Sequence, residues 1–130
     1  MKINKLSIVK EWSKKADEDL LTIKILIREK GPIDSICFHA QQAAEKYLKA
    51  YIIYKNQEPP KIHDLVRLLN ICNEIGLNGE DLGEVALELT KYYVETRYPA
   101  EVPLVKFSEG KKALVRTEKI IKLIKEKIKS

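Results

Sequence analysis

Four residues of one short segment, Gln42, Glu45, Lys46 and Lys49, supply an amide, a carboxylate and two ammonium groups at spacings of three and four. Residues so spaced are neighbours on an α-helix, so the four form one strip, continued upstream by Ser35. Such a strip offers donors and acceptors that suit a polyanion or a partner chain. On the other side of the same helix, Ile36, Ala40, Ala43, Tyr47 and Tyr51 line up, with Ala44 and Leu48 beside them. The small alanines on that inner face let another helix approach closely. Phe38 lies near the polar strip, where a large ring calls for a cover, either a ligand or a second subunit.

Other reactive groups are few. His63 precedes Asp64 at a predicted helix start and reads either as a general acid, base or phosphate donor, or as a capping and loop-packing residue. His39 sits at the margin of the apolar face and reads as a hydrogen-bonded packing residue. Arg97, between Tyr92-Tyr93 and Tyr98, has the guanidinium fork that suits a phosphate, with a tyrosine for a base. The alternative is a structural tie from Arg97 to helix-end carbonyls or to Glu45. Tyr47, Tyr51 and Tyr54 read as core or dimer contacts. Cys37 and Cys72 read as small buried apolar groups rather than a disulfide. Two Cys and two His at these spacings do not make a zinc site, and no phosphate-binding glycine loop is present. No metal or cofactor is expected.

The elements that must position these residues are helices. Apolar periodicity near 3.6 dominates and no period-two strand stands out. Helix one is expected from about Ser7 to Lys30, stopped by Gly31-Pro32, with Trp12, Ala16, Leu20, Ile23 and Ile27 inward. Helix two runs from about Asp34 to Tyr54, capped by Asp34 or Ser35. Pro59-Pro60 stiffens the connection to a short helix that starts near His63-Asp64, carries Leu65, Leu68, Leu69 and Cys72, and ends before Gly76. Helix four covers about Glu80 to Thr96, with Leu82, Val85, Leu89, Tyr92 and Tyr93 inward. Arg97 to Pro103 is a stiff loop, extended at Tyr98 before Pro99. Helix five follows Ser108 and packs through Ala113, Ile120, Ile121, Ile124 and Ile128. The sum is an all-α protein: an up-down four-helix bundle with an additional short helix, about five helices, in a single domain over residues 1–130.

Composition agrees. With 45% apolar and 33% charged residues the chain suits a soluble domain rather than disorder. It has no membrane span and no secretory leader, so a cytoplasmic location is expected. The net charge of +5 lies wholly beyond residue 108, where eight basic residues face three acidic ones. That basic last helix reads as a solvated lysine face before an anion-binding one, since no aromatic residue interleaves the lysines. Abundant Lys, Glu and Ile with few Gln, Cys and Met suggest a thermophile.

Three motifs carry a family resemblance. Gln41-Gln42-Ala43-Ala44-Glu45-Lys46 with Leu48-Lys49-Ala50, Ile62-His63-Asp64-Leu65, and Thr96-Arg97-Tyr98-Pro99 resemble, in order and spacing, the signature of the HEPN domain. The resemblance covers essentially the whole chain. It implies a five-helix bundle that forms a homodimer, with a nucleotide or RNA connection. In prokaryotes it also implies pairing with a minimal nucleotidyltransferase, often as toxin and antitoxin, the HEPN member then often being a metal-independent ribonuclease. The ribonuclease pattern needs an Arg followed after four to six positions by a His. Here Arg97 is followed by none; the only histidines, His39 and His63, lie upstream. No catalytic residue is therefore assigned. The leading expectation is a non-catalytic protein that binds a nucleotide or a nucleotidyltransferase through Gln42, Glu45, Lys46, Lys49, His63, Arg97 and Tyr98. The alternatives are a ribonuclease toxin with an atypical site, and a purely structural homodimeric interaction module.

Overall fold

The computed structural model describes residues 4–95 and 108–128 and contains, among them, five α-helices and no strand. Arg97, Tyr98 and the rest of the predicted Arg97–Pro103 loop lie outside the described residues, as does the side chain of Tyr93.

Helix α1, Lys5–Arg28, starts because the Asn4 side chain accepts the Leu6 amide at 2.9 Å. It stops where Lys30 turns left-handed (φ 55°) and the Gly31 amide returns to the Leu26 carbonyl at 2.7 Å. The left-handed residue is Lys30, immediately before the Gly31-Pro32 pair expected to stop the helix. A Cβ at Gly31 would stand 2.7 Å from Leu26 Cδ2, the tip of a flexible side chain that would have to move aside.

Helix α2, Ile33–Tyr54, is entered from Pro32, whose ring fixes φ at −60°. Neither Asp34 nor Ser35 is the N-cap as expected. Asp34 instead lies within the first turn, where its charge complements the helix dipole. Helix α3, Leu65–Glu74, is capped by Asp64, which accepts from the amides of Val66 (2.9 Å) and Arg67 (3.3 Å). A 3-10 turn at Glu80–Leu82 leads into α4, Gly83–Glu95, and α5 runs over Glu109–Ile128.

Side-chain pairs fix the helix directions. Asp19 meets His39 while Lys5 sits over the Tyr54 ring, so α1 and α2 are antiparallel. Gln41 reaches His63, Cys72 reaches the Leu48 carbonyl and Tyr51 reaches the Ile75 carbonyl, so α3 runs alongside α2 in the same direction. Tyr92 meets Glu109 and Arg116, which joins α4 to the start of α5. Thr117 donates to the Ala40 carbonyl at 3.1 Å, seating α5 on α2. Lys24–Glu118 and Asp17–Lys125 set α5 antiparallel to α1. The four long helices therefore run up, down, up and down, with α3 as the additional short one.

Helix α2 is the centre of this arrangement and packs against all the others. Thirteen of its 22 residues are buried, which leaves too little of its circumference for a fully solvated strip. Ala40, Ala43, Ala44 and Ala50 are completely buried, the close-approach seam their size predicts. Tyr47 and Tyr51 join them in the core, while Tyr54 is half-buried. Leu65, Leu68, Leu69 and Cys72 of α3, and Ala113, Ile120, Ile121 and Ile124 of α5, close the core as their spacing requires. Both cysteines are free and buried. Among the described residues, no helix is long and apolar enough to cross a membrane.

Candidate functional site

The polar residues of α2 fall into two networks rather than one outer strip. The first is centred on Glu45, whose side chain is buried. Its Oε2 accepts from Lys49 Nζ at 3.0 Å, one helical turn on, and its Oε1 accepts from Gln41 Nε2 at 3.2 Å. His63 Nδ1 stands 3.0 Å from the same Oε1. Gln41 also donates to the His63 carbonyl at 3.0 Å, so one amide ties the loop before α3 to α2. Gln42 donates to Gln41 Oε1 at 2.9 Å and extends the chain toward solvent. Lys49 is as buried as Glu45. Two charges at this depth are tolerated only because they are paired and hydrogen-bonded.

The second network is centred on Asp19, a buried carboxylate of α1. Its Oδ2 accepts from Lys46 Nζ at 2.6 Å and its Oδ1 lies 2.8 Å from His39 Nδ1. The Phe38 ring meets the His39 ring edge-on, with centroids 5.5 Å apart, and remains exposed. His39 is thus the hydrogen-bonded packing residue its position suggested. Apart from the buried Lys49, the networks sort charge radially. The carboxylates of Glu45 and Asp19 point inward, while His63 is 53% exposed, His39 30% and Lys46 23%.

The structure therefore brings Gln42, Glu45, Lys46, Lys49 and His63 into one region of α2 and its neighbours. Arg97 and Tyr98, the remaining predicted members, lie outside the described residues, and so does the predicted tie between Arg97 and Glu45. His63 is not the cap of α3, since Asp64 does that; it is held on Glu45 instead. Asp19 and Gln41 belong to the site although no role was expected of them. Asp19 carried a legible signal: it stands three residues after Ala16 and four before Ile23, a carboxylate on the buried face of α1.

A third polar cluster joins α4 to α5. Arg116 Nη1 donates to Tyr92 Oη at 2.7 Å and to Glu109 Oε2 at 3.3 Å, and Tyr92 donates to Glu109 at 3.0 Å. Partial burial works against the Glu109 carboxylate. The Tyr92 hydroxyl and the Lys112 and Arg116 cations outweigh it and hold its pKa below the usual value. Burial, chiefly, pushes the Tyr92 phenol well above its usual range. Tyr47 is raised likewise, by burial and then by its 2.7 Å hydrogen bond to Asp17.

Residues 9–128 match the family model of the HEPN domain. The crystal structure of TT1696 from Thermus thermophilus is 31% identical and superposes with a TM-score of 0.81, covering 92% of this chain and 97% of that one. The structure of ST0689, described as an archaeal HEPN homologue, is 23% identical with a TM-score of 0.76, over 93% of this chain and 98% of its own. No curated protein matches the chain.

Proposed function

The chain belongs to the HEPN domain family, and on that premise we propose that it is a non-catalytic homodimeric module that binds a nucleotide, or the nucleotidyltransferase that presents one. The observation that carries this reading is the radial charge sorting around α2. Asp19 and Glu45 are buried acids, and each turns a nitrogen group outward: Lys46 and His39 on one, His63 on the other. The accessible rim is thus made of donors, with the Gln42 amide between them. Donors held by buried acceptors are pre-oriented, so an anionic ligand does not have to order them, although at Lys46 the Asp19 charge itself opposes that ligand. Arg97 and Tyr98 complete the site in this reading. Titration of the parent, Lys46→Ala, His63→Ala and Arg97→Ala with nucleotides tests it. Weaker binding in each variant is expected; equal affinity in all four proteins would discard the site. Sedimentation of the parent should show a dimer, and the minimal nucleotidyltransferase, co-expressed, should co-purify with it.

One observation favours a second reading, an atypical ribonuclease. His63 is half exposed and carries a buried carboxylate on Nδ1, the arrangement that fixes an imidazole for proton transfer. Incubation of the parent and of His63→Ala with total RNA separates the two readings. Cleavage that disappears in the variant would replace the binding module by an enzyme.

A further inference from the structure

Beside Lys46, the surface between α1 and α2 opens into a groove of about 560 Å³, lined by Ser7, Ile8, Glu11, Trp12, Lys15 and Lys46. Its size falls within the range of small-molecule sites, about 300–1,000 Å³. Its lining divides by chemistry. Trp12, expected on the inner face of the first helix, lies outside the core and forms with Ile8, one helical turn away, an apolar wall of the groove; it is the only tryptophan of the chain. An indole offers a flat face on which a planar ring stacks. Lys15 and Lys46 supply two ammonium groups, point charges suited to a phosphate. Glu11 and Ser7, four residues apart, supply acceptors and a hydroxyl of the kind that meet sugar hydroxyls.

We propose that this groove takes a nucleoside monophosphate, its base on Trp12, its ribose toward Glu11 and Ser7, and its phosphate at Lys15 and Lys46. The assignment rests on the nucleotide-binding reading above and adds to it a place for the base, which the α2 rim does not provide. Lys46 is the link, since it belongs both to the Asp19 network and to the groove. Charge sets the preference for a monophosphate. Two ammonium groups face one carboxylate in the lining, and the Lys46 charge is already shared with Asp19. A monophosphate leaves less negative charge uncompensated by this wall than a triphosphate does, so the smaller anion is preferred.

The single tryptophan makes the test direct. The full chain is titrated with AMP while Trp12 fluorescence is followed, with adenosine, ribose 5-phosphate, ATP and inorganic phosphate as parallel titrants. AMP should quench saturably and bind no more weakly than ATP. Adenosine and ribose 5-phosphate should each bind about tenfold more weakly, as expected when either the stacking or the charged half is lost. Lys15→Glu, an exposed change that leaves helicity intact by circular dichroism, should weaken AMP by about tenfold or more. The same titrations by calorimetry, on the parent and on Trp12→Leu, separate the groove from the broader reading. If AMP gives heat but no fluorescence change, and Trp12→Leu and Lys15→Glu bind as the parent does, the groove is wrong and nucleotide binding stands. If no nucleotide gives heat, nucleotide binding fails and the groove with it. Quenching by phosphate equal to that by AMP would overturn base recognition.

Discussion

Lys49 Nζ lies 3.0 Å from Glu45 Oε2, and both side chains are less than a tenth exposed. An exposed pair one helical turn apart contributes a few tenths of a kcal/mol. This pair differs because both partners are buried, so removing Glu45 leaves the Lys49 ammonium enclosed without its carboxylate. Glu45→Ala is expected to cost ~3 kcal/mol or more, the usual penalty for leaving a buried charge without its partner. Replacing both residues by methionine should recover most of that loss, since no charge is then buried. Urea denaturation of the parent and the two variants measures this. A single-variant loss below about 1 kcal/mol would mean that Lys49 escapes to solvent.

Stability should fall on the alkaline side before any phenol titrates. Burial raises the Cys72 thiol to about 12, and its Sγ lies 3.4 Å from the Leu48 carbonyl. The unfolded thiol titrates near 8.5, so above that pH the native state holds one proton more than the unfolded chain. Stability then declines with rising pH by about 1.4 kcal/mol per unit, until the native thiol itself ionises. Above about 10 the raised phenols of Tyr47, Tyr51 and Tyr92 steepen the loss in the same direction. Thermal melts from pH 8 to 10 should show a shallower slope in Cys72→Ala than in the parent, since the other buried thiol, Cys37, is still present in the variant. An equal slope in both proteins would remove Cys72 as its source.

Glu109 contributes on the acid side. Its pKa is lowered by Tyr92, Lys112 and Arg116 against the opposing effect of burial, so its contribution is complete above the unfolded value of about 4.3. As pH falls through the lower native value the contribution disappears, because the unfolded chain takes up the proton first. Glu109→Gln should be less stable than the parent at pH 7, with the difference shrinking toward pH 3. Parallel melts that keep a constant gap down to pH 3 would contradict this.

How much of this was legible in the sequence depends on the range of each interaction. The inner face of α2 was legible because Ala40, Ala43, Tyr47 and Tyr51 repeat with the helix period, and all four are buried. The fate of Glu45 and Lys49 was not. A helix wheel says which residues share a face, but not how many neighbours the helix has. Here α3 and the loop before it lie over that face, and two charges that look solvated on the wheel are enclosed. The Gln41–His63 contact spans 22 residues and exists only because α3 runs parallel to α2 after the Pro59-Pro60 connection. Asp19 was within reach of sequence reasoning, since a carboxylate in register with Ala16 and Ile23 requires a buried partner. What the sequence does not name is which of the basic residues on α2 answers it.

Asp19 also separates stability from binding. Its partners differ from the buried Lys49 partner of Glu45: Lys46 is 23% exposed and His39 30%, so both can turn to water when Asp19 loses its charge. Asp19→Asn is therefore expected to cost ~1–2 kcal/mol, clearly less than Glu45→Ala, because it leaves no fully buried cation behind. Its effect on an anionic ligand has the opposite sign. In the parent, Lys46 Nζ is 2.6 Å from a carboxylate that repels any phosphate approaching the same ammonium. Neutralising Asp19 removes about 1 kcal/mol of that repulsion, so a nucleotide should bind about fivefold more tightly at low salt. Added salt should narrow the gain. Calorimetric titration of the variant with AMP, beside its denaturation curve, reads both quantities. Lower stability with higher affinity is the expected result. Lower stability with unchanged or weaker affinity would show that Asp19 positions Lys46 for the ligand rather than competing with it, and that the ion pair belongs to the bound state.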